Sequence, residues 1–275
     1  IVMAKKKNPS PKPLPTSLYH HTTAEVLLCL FNPIIKKSET ESLTFRASES
    51  NCMNDTQENK IITSNLGLES KELIKNFSKV KEQLNKVYVI SLSKERDSIP
   101  IWKMYGGNSD GIALRFDFKK LKESFPLVEI EEVDNLNFNT TTQYLIPCKY
   151  VVKNDLQTAS KKYRDFFKAN QSNTTALVDA FNRWQLEAIS FKHKSFEYEN
   201  EYRIVAFSKT SSFQNGQYGI KEYSEIKIPL SVLEEILVSP LCKTDTKRSI
   251  ETLCKQIEAT TGKQIKITAS RVSLR

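Results

Sequence analysis

Strand-like segments recur through the last third of this chain without the regular strand–helix–strand alternation of a parallel sheet, and that order constrains the fold most. Glu201 to Phe207, Glu225 to Ile228, Ile236 to Val238 and Gln264 to Thr268 read as strands, with a helix, Asp245 to Ala259, among them. A doubly wound parallel sheet is therefore disfavoured. The chain has only seven glycines and contains neither G-x-G-x-x-G nor a Walker sequence, so Rossmann and P-loop sites are set aside. There is no G-x-S-x-G elbow to support serine hydrolase chemistry.

Earlier segments mix both periods. Leu18 to Thr22 reads as a short strand, and Ala24 to Phe31 as a helix stopped by Asn32-Pro33. Phe45 to Glu58 looks like a loop in which Asn51, Asn54 and Asp55 hold turns. Leu73, Phe77, Val80 and Leu84 predict an amphipathic helix from Ser70 to Asn85. Val87 to Leu92 and Ile112 to Phe118 are strands around a compact insertion. There Ser98-Ile99-Pro100 starts, and Gly106-Gly107 stops, about one helical turn over Ile101 to Tyr105. Central helices are expected from Asp155 to Ala169 and from Thr174 to Phe191. The expectation is a single α+β domain over residues 17–275 behind a basic, flexible tail of residues 1–16.

The net charge of +9 invites a nucleic-acid reading, but its distribution gives little support to a basic domain. Residues 1–16 hold four lysines and no acid, residues 243–275 hold eight Lys/Arg against three acids, and the body between is balanced. The five cysteines are scattered and the three histidines form no ligand spacing with them, so neither a disulfide framework nor a metal site is expected. No apolar run suits a membrane span or a secretory signal, and cytoplasmic residence is the default expectation.

Three segments could carry chemistry. In Tyr19-His20-His21-Thr22 a strand sends the two histidines to opposite faces, so only one can enter a given site. Each could equally be a surface or satisfied core residue. Ser91-Leu92-Ser93 ends a strand and precedes Trp102 and Tyr105. These rings, three residues apart on a helical turn, would form one aromatic surface, able to stack on a planar heterocycle or to wedge the insertion onto the sheet. The third segment is Glu199-Asn200-Glu201-Tyr202-Arg203. Read as a strand it puts Glu199 and Glu201 on one face about 6.5 to 7 Å apart, with Arg203 two further along and able to provide a countercharge. Two carboxylates so close raise one member's pKa unless a cation or substrate hydroxyl satisfies it. A solvated edge strand would show the same pattern.

In their order, Tyr19-His20-His21-Thr22, Met53-Asn54-Asp55 with Glu58, Ser91-Leu92-Ser93, Trp102, Tyr105, Gly111 and Glu199-x-Glu201-x-Arg203 resemble the ADP-ribosyltransferase-like superfamily, in a bacterial branch associated with defence and toxin loci. The resemblance implies split antiparallel β-sheets gripping NAD, with helical insertions. It implies that His20 (or its neighbour His21, with Thr22) holds a ribose, and that Trp102 or Tyr105 stacks on nicotinamide. It also implies that Ser91, Ser93 and Arg203 line the cofactor site. Glu201 would bind the 2′-hydroxyl of the nicotinamide ribose and Glu199 would position or deprotonate the acceptor. The implied function is NAD-dependent ADP-ribosyl transfer to a protein or nucleic acid, without a metal, in a toxin or anti-phage effector that can have an antitoxin or defence-system partner. NAD hydrolysis, a silent nucleotide-binding module and a nucleic-acid binder using its basic termini are the competing readings.

Overall fold

The computed structural model describes residues 13–38, 41–50, 75, 78, 80–107, 110–129, 133, 136, 138, 143–152, 161–163, 165–170, 172–216 and 219–273. The chain begins with β1 (Ser17–Thr23), α1 (Ala24–Ile35), β2 (Ser42–Glu49) and β3 (Lys86–Ser93), followed by α2 (Ile99–Tyr105), β4 (Gly111–Asp117) and α3 (Phe118–Ser124). The centre holds β5 (Gln143–Pro147), β6 (Lys149–Val151), α4 (Thr174–Ser190), β7 (Phe191–His193) and β8 (Glu201–Ser208). Then come β9 (Ser212–Gly216), β10 (Gly219–Pro229), β11 (Leu233–Val238), α5 (Thr244–Thr261) and β12 (Lys266–Ala269). This is an α+β fold in which, among the described residues, no helix is long and apolar enough to cross a membrane.

Among the described residues, ten strands form one sheet in the order β12-β11-β4-β1-β3-β2-β10-β9, with β8 beside β3 and β5 beside β8. Every pairing in it is antiparallel except β11 with β12. The sheet forks at β3. One edge of β3 pairs with β8 along its whole length, from Lys86↔Ser208 to Ser93↔Glu201. Its other edge is shared: β2 meets it at Tyr88 and Val89, and β1 meets it at Ser93. The fork therefore opens beside residues 90–92, with β1, β4 and β11 on one branch and β2, β10 and β9 on the other.

Alternation along β3 and β8 divides the core into two layers. Tyr88, Ile90, Leu92, Tyr202 and Ile204 pack with Leu27, Phe31 and Ile34 of α1 and with Ile250 and Ile257 of α5. On the opposite face Val87, Val89, Val205 and Phe207 pack with Leu186 and Ile189 of α4. Glu201 and Arg203 share that second face, and so do their cross-strand partners Ser93 and Ser91.

Several boundaries differ from those read in the sequence. Helix α1 does not stop at Asn32-Pro33 but includes Pro33 and ends at Ile35. Burial of Ile34 favours the extra turn, and Lys36 N–H closes it on the Asn32 carbonyl. Phe45 to Glu49 is not loop but part of β2, whose Leu43, Phe45, Ala47 and Glu49 are buried in alternation, the strand pairing to β10 over Ser42 to Ser48 and to β3 at Ser48 and Glu49. Met53, Asn54, Asp55 and Glu58 lie outside the described residues, as does most of the helix expected from Ser70. Its last turn, Lys81–Gln83, is a 3-10 helix.

Candidate active site

The acidic segment reaches its geometry by a different route from the one its sequence suggests. Glu199 is not in a strand: it ends a 3-10 helix, Lys194–Glu199, and β8 begins only at Glu201. Between them Asn200 takes left-handed backbone angles, φ 43° and ψ 51°, a conformation that Asn tolerates better than most non-glycine residues. Its side-chain amide donates to Glu95 Oε1 at 2.7 Å, and Ser93 fixes the same turn. The Ser93 hydroxyl donates to the Glu199 carbonyl at 2.5 Å and accepts from Glu95 N–H at 2.8 Å. Ser93 thus shapes the acidic turn through its backbone.

The turn brings both carboxylates onto one ammonium. Lys192 Nζ lies 2.6 Å from Glu199 Oε2 and 2.7 Å from Glu201 Oε2. Arg203 completes the cluster, donating from Nε to Glu201 Oε1 at 2.9 Å, from Nη2 to Glu201 Oε2 at 3.0 Å and from Nη1 to the Ile189 carbonyl at 2.5 Å. On the other side, Tyr105 OH donates to Glu199 Oε1 at 3.2 Å. Residues three apart eclipse on a 3-10 helix, which places Phe196 on the side of Glu199 and under the same ammonium, 5.0 Å from Lys192 Nζ. Two anions and two cations are buried together here, with Glu199, Glu201, Lys192 and Arg203 at 4%, 4%, 6% and 0% exposure.

The two carboxyl groups are driven apart. Burial pushes the Glu199 carboxyl up, and the negative Glu201 beside it adds to this against the opposing pull of Lys192 and Tyr105. Burial would raise Glu201 as well, but the charges of Arg203 and Lys192 override it and hold Glu201 down to about 2. Glu201 is therefore a fixed negative charge, while Glu199 can exchange a proton nearer to neutrality. That division separates an electrostatic stabiliser from an acid–base group. Burial and the adjacent Glu199 carboxylate likewise raise the Tyr105 phenol, which keeps it a hydrogen-bond donor. With Arg203 on Oε1, and Arg203 and Lys192 on Oε2, Glu201 retains acceptor capacity at Oε1 for a hydroxyl.

The remaining expected site residues divide by sheet face. Tyr19 pairs with Ser93, so Tyr19 and His21 lie on the face of Glu201, and His20 and Thr22 point to the opposite one with Leu18. His20 does not share the carboxylate cluster; its place is the fork. Its Nδ1 sits 2.9 Å from the Ser91 carbonyl and, because a carbonyl only accepts, must carry the proton. Nε2 is left as an acceptor, and burial lowers the pKa of the ring. Ser91 is exposed and enters through this carbonyl. His21 packs edge-on against Trp102 with ring centroids 4.9 Å apart, and burial lowers it to about 4.

Trp102 corrects the expectation of a stacking platform. It is 1% exposed, packed among Tyr19, Ala113 and Leu237, and its Nε1 donates to Asp97 Oδ1 at 2.8 Å. It is the wedge that seats α2 on the sheet, leaving Tyr105 as the partly exposed ring. Gly111 allows that seating, since a Cβ there would lie 1.8 Å from the Gly106 carbonyl oxygen at the end of α2. Arg203 is the countercharge its spacing offered: its guanidinium is buried on Glu201 and the Ile189 carbonyl, where it fixes the carboxylate and has no exposed surface.

Sequence reading missed Lys192 and Tyr150. They are cross-strand partners in a separate two-stranded parallel sheet, β6–β7, and the Tyr150 hydroxyl accepts from the Glu201 N–H at 2.7 Å. Three-residue strands carry no readable period, and the only signal was Lys192 itself within the apolar approach to the acidic segment. Among the described residues no group of three or more His, Cys, Asp or Glu side chains could hold a metal ion.

Residues 101–204 match a family described as "Protein of unknown function (DUF2971)", a stretch that contains Tyr105, Tyr150, Lys192, Glu199, Glu201 and Arg203. Among solved structures, the chain is similar to Thermus sp. 2.9 DarT in complex with NAD+, at 9% identity and a TM-score of 0.36, covering 94% of this chain and 97% of that chain. It is similar also to Thermus sp. 2.9 DarT in complex with ADP-ribosylated ssDNA, at 10% identity and a TM-score of 0.37, covering 94% and 96%. No curated protein matches the chain.

Proposed function

We propose that this chain is an NAD-dependent ADP-ribosyltransferase whose reaction centre is the Glu199–Glu201 pair. The observation that carries the reading is the split ionisation of two buried carboxylates joined by one ammonium. Breaking the bond between the ribose C1′ and nicotinamide sends the electron pair to nicotinamide and leaves positive charge on the sugar. A carboxylate that stays ionised stabilises that charge while accepting a hydrogen bond from the 2′-hydroxyl, and Glu201 is built for this. The acceptor's nucleophile then bonds to C1′, and its proton passes to Glu199. Tyr105 is the ring placed to stack on nicotinamide. His20, neutral with a proton on Nδ1, offers Nε2 as an acceptor for a hydroxyl of the dinucleotide at the fork. The acceptor is a macromolecule, protein or nucleic acid, and the domain is the whole of residues 17–275.

One observation favours a second reading, a nucleotide-binding module without turnover. Arg203 and Lys192 already engage both oxygens of Glu201, as they would in a purely structural ion cluster. Incubating the purified protein and a cell lysate with NAD labelled in its adenylate half separates the readings. The transferase labels macromolecules, and protease or nuclease digestion identifies their class. Free ADP-ribose alone would indicate hydrolysis, and intact NAD would refute turnover.

A further inference from the structure

The small β6–β7 sheet stands outside the ten-stranded one, yet both side chains of its Tyr150↔Lys192 pair are spent on the acidic segment. Tyr150 holds the Glu201 amide at 2.7 Å, and Lys192 holds the two carboxylates at 2.6 and 2.7 Å. Chain geometry explains how. β5 runs along β8 as far as Pro147↔Tyr202, Cys148 N–H bonds the Glu201 carbonyl at 2.9 Å, and the chain then leaves the large sheet to pair with β7. That departure sets β6 and β7 across the beginning of β8.

We propose that β6–β7 is a clamp and that Lys192 is the positioning residue of the acidic pair, its ammonium joining Glu199 to Glu201 and allowing Glu199 to carry charge in a buried site. Charge counting supports this. Arg203 is committed to Glu201 through two of its nitrogens, so Lys192 is the cation that balances Glu199. Among the described residues, the groups facing Glu199 are Lys192 from β7, Glu201 from β8, Tyr105 from α2 and Tyr198 from its own helix. Of these only Lys192 is a cation in contact with it. Removing that charge leaves two buried carboxylates with one guanidinium, and Glu199, the one without an arginine, takes up the proton.

As a statement about turnover the proposal rests on the transferase reading, whereas as a statement about ionisation it does not. The test uses the full-length protein with 13C-labelled glutamate carboxyls, Glu199 being assigned from Glu199→Gln. In Lys192→Met the Glu199 titration midpoint should rise by about one pH unit or more, and Lys192→Arg should return it toward the wild-type value. The acidic limb of the pH profile for nicotinamide release should move upward by the same amount. A merely structural lysine would lower release at every pH and leave the limb where it was. If Lys192→Met folds poorly, adding Glu199→Gln restores charge balance and should recover melting temperature. An unmoved midpoint, or no recovery in the double variant, overturns the clamp. A moved midpoint in a protein that releases no nicotinamide upholds the clamp and refutes the transferase reading instead.

Discussion

Replacing Arg203 by leucine probes the buried cluster most sharply. The guanidinium is fully buried, and its loss removes two bonds to Glu201 and one to the Ile189 carbonyl. Glu201 and Glu199 would then share Lys192 alone. Stranding one partner of a buried ion pair costs about 3–5 kcal/mol, before the orphaned Ile189 carbonyl is counted. Urea unfolding at pH 7 should therefore show a loss of that size, and Glu201→Leu with Arg203→Leu should regain about 2 kcal/mol of it, the coupling expected of contacting residues. The pH dependence has a definite sign. Glu201 is lowered from 4.5 to about 2, so its contribution of about 3 kcal/mol is present above its unfolded value and lost as pH falls from there to about 2. Wild-type stability should drop across that window faster than that of Arg203→Leu, and the two curves should converge. A loss below about 1 kcal/mol, the scale of an exposed pair, or curves that stay parallel, would refute the reasoning.

Trp102→Ala should lower unfolding free energy by about 3–5 kcal/mol in the same assay, the range for emptying an aromatic core site, because the ring is 1% exposed and bonded to Asp97. Asn200→Val should be less stable than Asn200→Gly by at least about 1 kcal/mol, since only glycine keeps the left-handed turn without strain; equal melting temperatures would contradict the geometry. Imidazole 15N spectra at pH 7 should show His20 with the proton on Nδ1, and burial should put its protonation midpoint below that of an exposed histidine; an Nε2–H tautomer would refute the bond to Ser91.

Much of the fold was legible because the strands that build the sheet carry clear alternation. β1, β3, β4, β8 and β11 lie within a few residues of their expected positions. Legibility failed where tertiary contacts override local signals. Asn32-Pro33 is a strong local stop, yet the burial of Ile34 carries α1 past it. Glu199 and Glu201 meet as expected, but through a 3-10 turn and a left-handed asparagine rather than along a strand, because short turns leave no periodic trace. Trp102 and Tyr105 share a helical face by spacing alone, and only the packing against Tyr19 and His21 shows that one ring is interior. Lys192 and Tyr150 became visible only once β6 and β7 were paired, since their partnership is long-range.

The most direct measurement is the rate of nicotinamide release from NAD by wild-type protein beside Glu201→Gln, an isosteric change that removes the fixed charge. Folded, NAD-binding Glu201→Gln should release nicotinamide at least about 100-fold more slowly than wild type, the scale of a lost electrostatic stabiliser. Equal release by the two proteins would contradict the assignment of Glu201 as the group that stabilises the positive charge left on the sugar as nicotinamide departs.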